Sequence, residues 1–217
     1  MSRRNYSIKN VLTGNRFCEA GWFILQAERL LQISRNYKAK TALIYSALEA
    51  RNAVEQIWFT LIRACSKGDI RKNLLIECRK TDGIFRIMRE TEPDYRRLVR
   101  FTRICNSIYP EMPKVTEWDL KKLKRYWNDL SKYCHSPMSS LDTFDSSEWF
   151  NESIVLLDEV CTYVISEMRS AHGTGVLDVN TMPIEIRDAW ETFKSGSASE
   201  KDVRLLLKNF LSTVVKD

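Results

Sequence analysis

Glycine and proline are scarce in this chain, which has seven glycines and five prolines in 217 residues. The glycine content is about half of the average for globular proteins. β-Sandwiches and β-barrels need many tight turns, and most such turns use glycine or proline. The hydrophobic fraction of 44% and the charged fraction of 29% are ordinary, however, and provide for a substantial core. The sequence therefore predicts an all-α protein.

Long apolar runs and paired metal-ligating motifs are also missing. No stretch of about 18 apolar residues occurs, so no membrane-spanning helix is expected. The basic N-terminus has no apolar segment behind it, so no signal peptide is expected. The six cysteines form no Cys-x-x-Cys pair, and the chain has two histidines. These patterns favour a cytoplasmic protein with reduced cysteines and without a structural zinc site. No nucleotide-binding glycine motif is present, and no cofactor is expected.

Charge is unevenly distributed along the chain. Residues 1–140 carry 27 basic and 14 acidic residues, a net charge of +13, whereas residues 141–217 carry 7 and 14, a net charge of −7. A basic body favours contact with a polyanion such as RNA. The densest basic run supplies four predicted RNA contacts: Arg96, Arg97, Arg100 and Arg103. A solvated helix face is the more ordinary interpretation of the same run.

Apolar residues recur at helical spacing in several segments. The spacing predicts helices over 17–34, 38–66 and 117–135, together with a short helix that begins at Pro93. We expect these helices to share one core. Its predicted members are Phe23, Leu30, Ile44, Leu48, Trp58, Leu123, Trp127, Leu130, Phe150, Leu157 and Val164.

Two capping signals set the expected starts of the later helices. Thr116 and Asp119 are spaced as in a capping box, and Ser147 is the expected cap of the helix that follows the serine-rich loop. The region 176–217 is expected to form two further helices, which are too small to hold a core of their own. We therefore predict a helical bundle over 1–175 and a C-terminal hairpin over 176–217, which docks on the bundle or on a protein partner.

The segment that ends at His135 carries the first candidate functional residues. On a helix, Asn128, Ser131 and His135 lie on one polar ridge. A histidine in the last turn of a helix is titratable near neutral pH and can act as a general base. A histidine that only caps its own helix is the structural alternative.

Arg51 is the second candidate functional residue. It follows the apolar stripe of the helix over 38–66 and stands four residues before Glu55, so the two side chains can pair. An arginine on an inner helix face must be paired or must line a cleft. A structural ion pair is the alternative to a functional cation.

Residues 17–172 resemble the HEPN superfamily, an all-α domain of many prokaryotic ribonucleases and defence proteins. The resemblance rests on Ala-Leu-Glu-Ala-Arg-Asn-Ala-Val-Glu at 47–55 and on Leu-Ser-Lys-Tyr-Cys-His at 130–135. Active members carry the motif Arg-x(4–6)-His. His135 matches the histidine of that motif, whereas Asn128 stands in a slot that the family fills with arginine. The resemblance implies a HEPN-like helical bundle, a homodimer that pairs through the helix over 117–135, and a setting in anti-phage defence or a toxin–antitoxin system.

The resemblance also implies a reaction, the metal-independent cleavage of RNA with His135 as the base. Such cleavage needs a base for the 2′-hydroxyl and a cation that stabilises the charge developing on the phosphate. Asn128 can donate a hydrogen bond but brings no charge, so Arg51 or Arg125 has to supply it. Three basic residues near the histidine are predicted RNA contacts: Lys124, Arg125 and Lys132.

The leading prediction is thus a HEPN-like protein that binds or cleaves RNA without a metal or cofactor. The alternative is a non-catalytic, dimerising protein–protein interaction module, in which residues 176–217 engage a partner. The missing arginine favours the alternative, and the basic first 140 residues favour RNA. The sequence leaves the substrate, the partner protein and the activating signal open.

Overall fold

The computed structural model describes residues 19–65, 83–109, 116–133, 146–170, 179 and 182–214. The seven elements in these ranges are all α-helices, and no residue in them lies in a β-strand, which confirms the all-α prediction. In chain order they are α1 (Ala20–Tyr37), α2 (Lys40–Cys65), α3 (Gly83–Ile108), α4 (Leu120–Ser131), α5 (Ser147–Ser170), α6 (Ile184–Ser195) and α7 (Glu200–Val214). Within these ranges, no helix combines the length and the apolar character needed to span a bilayer.

The chain divides into two compact units. Unit 1 takes the described residues of Met1–Ile57 and Asp119–His172, and unit 2 takes those of Trp58–Trp118 and Gly173–Asp217. This grouping differs from the predicted division into 1–175 and 176–217, because α6 and α7 pack on α3 and share a unit with it. The predicted division into a bundle over 1–175 and a C-terminal hairpin over 176–217 stays a prediction.

In unit 1, α1 packs against α5 at close range. A Cβ atom added to Gly21 of α1 would lie 3.2 Å from Cε of Met168 on α5, so glycine permits the close approach. The hydroxyl of Ser46 on α2 donates a buried hydrogen bond of 2.7 Å to the carbonyl oxygen of Ala27 on α1. Between these two helices Lys38 adopts the left-handed conformation, with φ of 50°, so α1 ends just before it.

In unit 2, the C-terminal helices pack on α3 through an aromatic cluster. The ring of Phe101, which is fully buried, lies 5.4 Å from the ring of Trp190 and 6.0 Å from that of Phe193. The helix α6 begins after Pro183 and ends before Gly196, whose φ is 78°, a conformation that glycine adopts without strain. The hairpin therefore docks on the same chain, which is one of its two expected outcomes.

Several local predictions were wrong. Pro93 lies inside α3 rather than at the start of a helix. The carbonyl of Arg89, which loses its amide partner there, belongs to an exposed residue, so water can satisfy it. Asp119, not Thr116, caps α4, because its carboxylate accepts the backbone N–H of Lys122 at 3.0 Å.

The cap of α5 is also shifted by one residue. The hydroxyl of Ser146, rather than that of Ser147, accepts the backbone N–H of Trp149 at 3.1 Å. Serine occupies both positions in the sequence, so a prediction from residue type alone does not separate them.

The predicted core is correct for some of its members. Six of them are buried: Phe23, Trp58, Leu123, Leu130, Leu157 and Val164. Leu48 is 37% exposed, and four are half-buried: Leu30, Ile44, Trp127 and Phe150. On α2 the buried face also includes Leu43, Ala47 and Ala50. Of the three predicted core members on this helix, Trp58 lies on that face, whereas Ile44 and Leu48 lie one residue after Leu43 and Ala47, at its edge.

Candidate nucleic-acid interface

One face of α4 is buried and the opposite face is basic. Leu123, Tyr126 and Leu130 are fully buried and recur at steps of three and four residues, so they turn one side of the helix into the core. Five polar side chains lie exposed on the other side and form what we call the basic face of α4: Lys121, Lys124, Arg125, Asn128 and Lys132. Four of them are cations, and Asn128 stands among them.

Two carboxylates pair with this face. Glu159 of α5 accepts hydrogen bonds of 2.7 Å from Arg125 Nη2 and of 2.7 Å from the hydroxyl of Tyr126. Asp129 Oδ1 lies 2.8 Å from Lys132 Nζ, and this hydrogen bond raises the pKa of Lys132 above its ordinary value. The ion pair of Arg125 is about half exposed, with side-chain exposures of 58% and 48%. Exposed pairs of this kind contribute little to stability, so both cations can exchange their carboxylates for other anions.

Tyr126 and Tyr163 hold α4 against α5. Burial raises the pKa of Tyr126, and its hydrogen bond to Glu159 raises it further, so the hydroxyl remains a donor at neutral pH. The hydroxyl of Tyr163 accepts the backbone N–H of Asp119 at 3.2 Å, and Lys122 Nζ lies 4.2 Å from the centroid of the Tyr163 ring. Lys122 thus packs on aromatic rings and does not belong to the basic face.

A second polar cluster joins α4 to α2. Arg51 Nη2 lies 3.1 Å from Glu55 Oε1, and the same oxygen accepts a hydrogen bond of 2.8 Å from Trp127 Nε1. The guanidinium of Arg51 also lies over the indole ring of Trp127. Arg51 and Glu55 are mostly buried, with side-chain exposures of 21% and 28%, and Arg51 Nε is buried without a hydrogen-bond partner. We call these three residues the Arg51 cluster. The structure confirms the predicted pair of Arg51 and Glu55.

The sequence missed the part that Trp127 plays in this cluster. Its position in an apolar stripe indicated a core residue, but its N–H donor binds the carboxylate of Glu55. The N–H group of a tryptophan in a protein interior usually donates a hydrogen bond. That rule is the one signal in the sequence that indicates a polar contact for Trp127.

The predicted polar ridge of α4 is only partly present. Asn128 is exposed and makes no hydrogen bond or ion pair with any described residue. Ser131, in contrast, is buried, and its hydroxyl donates a hydrogen bond of 2.7 Å to the carbonyl oxygen of Trp127. Ser131 therefore faces inward because the turn of the helix places it next to the buried stripe. His135 and its neighbours from 134 to 145 lie outside the described residues.

The four predicted arginines of α3 have different surroundings. Arg96 lies 2.6 Å from Glu92, and Arg103 pairs with Glu117. Arg97 Nη1 donates a hydrogen bond of 2.6 Å to the carbonyl oxygen of Lys194, the next-to-last residue of α6. Arg100 is exposed and contacts no charged or hydrogen-bonding group in the described part of the chain. Arg97 thus holds the end of a helix, whereas the other three extend from the exposed face of α3.

Neither a search for metal-binding side chains nor a comparison with known proteins assigns a function to this surface. The described side chains contain no group of three or more histidine, cysteine, aspartate or glutamate residues placed to hold a metal ion. No family model, no curated protein and no solved structure matches the chain. The HEPN resemblance therefore rests on the residues at 47–55 and 130–135 alone.

Proposed function

We propose that this chain is a HEPN-like helical protein that binds RNA through the basic face of α4. The observation that carries the proposal is the clustering of four cations on one exposed face of this short helix. From Lys121 to Lys132 the face extends about 17 Å along the helix axis. Cations at this density attract phosphates and release bound counterions from RNA.

The pairing of the face supports contact with phosphates. Its carboxylate partners, Glu159 and Asp129, hold Arg125 and Lys132 in exposed ion pairs. A phosphate that replaces either carboxylate finds a cation that is already oriented. Asn128 adds an uncharged donor in the middle of the face, which suits a phosphate oxygen or a base edge.

Cleavage of the bound RNA is the further part of this proposal. His135 accepts the proton of a 2′-hydroxyl, the 2′ oxygen attacks the adjacent phosphorus, and the 5′ oxygen leaves with a proton from water. Arg125 shares the exposed face with Asn128, whereas Arg51 is mostly buried against Trp127. We therefore assign the cation that stabilises the phosphate to Arg125, and Arg51 to the support of α4. The setting in anti-phage defence or a toxin–antitoxin system rests on the HEPN resemblance alone.

A protein–protein interaction module is the second candidate function. Its support is the exposure of three large apolar side chains on the C-terminal hairpin, with Ile184 exposed at 57%, Leu205 at 61% and Leu206 at 50%. A homodimer that pairs through α4, as the resemblance implies, would bring the basic face close to its own copy. Bound RNA and such a dimer would therefore compete, and light scattering with and without RNA measures that competition.

The experiment is a titration of labelled RNA in EDTA, read by fluorescence anisotropy and then by gel. The α4 variant replaces Lys121, Lys124 and Arg125 with glutamine. The control variant makes the same change of charge at Arg187, Lys201 and Lys208, which lie exposed on α6 and α7. We expect the α4 variant alone to lose affinity, and His135→Ala to abolish cleavage while binding persists. No binding by the wild-type protein would favour the interaction module.

A further inference from the structure

We propose that three arginines of α3 form a second RNA contact, which binds the phosphate backbone of double-stranded RNA and reads no bases. We call Arg96, Arg100 and Arg103 the arginine row. The inference rests on the proposed RNA binding and adds to it the structural class of the RNA. The row lies in unit 2, whereas the basic face of α4 lies in unit 1, so the two surfaces can be changed independently.

The helix places the three arginines in a line. They stand at positions i, i+4 and i+7, span about 10 Å along the axis, and are all exposed. On the other side of α3, Leu98, Phe101 and Cys105 are fully buried. This burial fixes the rotation of α3, so the arginine row faces away from the core of unit 2.

Carboxylates orient two members of the row. Glu92 holds Arg96 at 2.6 Å, and Glu117 pairs with Arg103, while Arg100 between them has no partner in the described residues. Arginine matches phosphate oxygens with two parallel N–H groups, and its pairs with exposed carboxylates are weak. A phosphate backbone therefore meets Arg100 directly and displaces Glu92 and Glu117 at little cost.

The aromatic residues beside the row decide between single-stranded and double-stranded RNA. Proteins that bind single strands combine cations with aromatic rings on which bases stack. The rings of Tyr95 and Phe101 are 2% and 0% exposed and belong to the core of unit 2. Double-stranded RNA, in contrast, is recognised mostly by shape and by contacts to phosphate and ribose. In the described part of the chain, the rings of Tyr95 and Phe101 next to the row are buried and offer no stacking surface, and such a row of cations matches the duplex.

The test compares a blunt RNA duplex with a single strand of the same length, using the full chain. The row variant replaces Arg96, Arg100 and Arg103 with glutamine and is compared with the control variant on α6 and α7. We expect the row variant to bind the duplex about 8- to 125-fold more weakly, because each of the three phosphate contacts should contribute about two- to fivefold. The slope of log affinity against log salt should fall by about one unit per arginine. Affinity for the single strand should change less than twofold.

A second variant tests the same surface by a gain of affinity. Glu92→Gln with Glu117→Gln releases Arg96 and Arg103, and duplex affinity should rise about two- to fivefold. The double change Glu185→Gln with Asp188→Asn on α6 adds the same charge away from the row and should leave affinity within twofold. This variant keeps every arginine, so its result does not depend on the row variant being folded.

The outcomes separate the two proposals. Row and control variants that bind the duplex equally, together with a weakened α4 variant, would overturn the inference and leave the proposed function in place. Equal losses on single-stranded and double-stranded RNA would overturn the assignment of the duplex. A wild-type protein that binds neither RNA would remove the proposed function, and the inference with it.

Discussion

The guanidinium of Arg51 lies over the indole ring of Trp127, with 4.7 Å between Cζ and the ring centroid. Glu55 Oε1 binds both residues, at 3.1 Å from Arg51 Nη2 and 2.8 Å from Trp127 Nε1. One carboxylate oxygen on α2 thus links Arg51 to Trp127 of α4, and the cluster holds the inner edge of the helix whose outer side is basic. Arg51, a catalytic candidate from the sequence, contacts Trp127 of α4 in this arrangement, and in the proposal above it supports the helix that is proposed to bind RNA.

The hydrogen bond of Trp127 can be removed without removing its ring. We expect Trp127→Phe to lower the free energy of unfolding by about 1 kcal/mol, because the donor to Glu55 is lost while an aromatic surface remains under Arg51. Urea unfolding followed by circular dichroism measures the change. Asn128→Ala is the control, since this neighbour is exposed and unpaired in the described structure, and it should stay within about 0.5 kcal/mol. Equal effects of the two changes would contradict a role for the cluster.

The different burial of three leucines leads to a second prediction. Leu130 and Leu157 are fully buried, whereas Leu48 is 37% exposed. Leu130→Ala and Leu157→Ala should each cost about 2–5 kcal/mol, because each leaves a cavity in unit 1. Leu48→Ala should cost less than about 1 kcal/mol. Thermal or urea midpoints that do not separate Leu48→Ala from the other two would contradict the burial pattern.

Three cysteines should resist alkylation in the folded protein. Burial raises the pKa of Cys65, Cys105 and Cys161 from 9.0 to about 12. At pH 8 only about one thiol in ten thousand is then ionised, and the thiolate is the reactive form. Iodoacetamide should label these positions at least 100-fold more slowly in native than in urea-unfolded protein, as read by site-resolved mass spectrometry. Rapid native labelling at any of the three would show that the site is open to solvent.

The same thiols give stability a dependence on pH. Their pKa values are raised in the folded state, so the unfolded chain releases protons first as the pH rises. The contribution of the three thiols to the free energy of unfolding is complete below pH 9.0, which is the pKa in the unfolded chain. It is lost progressively as the pH rises towards about 12, the pKa in the folded protein. Replacing Cys161 with alanine should flatten the fall of stability within this window.

Arg97 should stabilise the C-terminal hairpin rather than bind RNA. Arg97 Nη1 donates a hydrogen bond of 2.6 Å to the carbonyl oxygen of Lys194. This oxygen lies in the last turn of α6, at the negative end of the helix dipole. Arg97→Ala should lower the free energy of local opening in α6 by about 1 kcal/mol, measured by amide hydrogen exchange. Arg100→Ala, three residues later on the same helix, is the matched control and should leave exchange in α6 unchanged. If the amide protection of α6 is the same in Arg97→Ala as in the wild type, the result would contradict this contact.

Sequence patterns were enough for the fold class and for most helices. The apolar spacing of Leu123 and Leu130 is a strong local signal, and both side chains are buried in the structure as predicted. Pro93 was misplaced, because a proline on an exposed helix face loses one hydrogen bond that water can replace. Ser131 was misplaced, because a hydroxyl can be buried when it donates to its own helix.

The candidate site was less accessible to sequence reasoning than the fold. Lys124, Arg125 and Lys132 were predicted from their position near His135, whereas Lys121 was not predicted. The roles of Arg97 and Trp127 depend on partners 97 and 72 residues away in the chain. Such long-range hydrogen bonds follow from tertiary packing and leave no local pattern. Arg51 and Glu55 were paired correctly because their contact is within one helix turn.

The salt dependence of RNA binding tests the central claim most directly. The measurement is the affinity for one RNA over a series of salt concentrations, for the wild type, the α4 variant and the control variant. If Lys121, Lys124 and Arg125 contact phosphates, the slope of log affinity against log salt for a single-stranded RNA falls by about two units, at about 0.7 per contact, in the α4 variant alone. The same slope in all three proteins, or an equal decrease in the α4 and control variants, would contradict RNA binding through the basic face of α4.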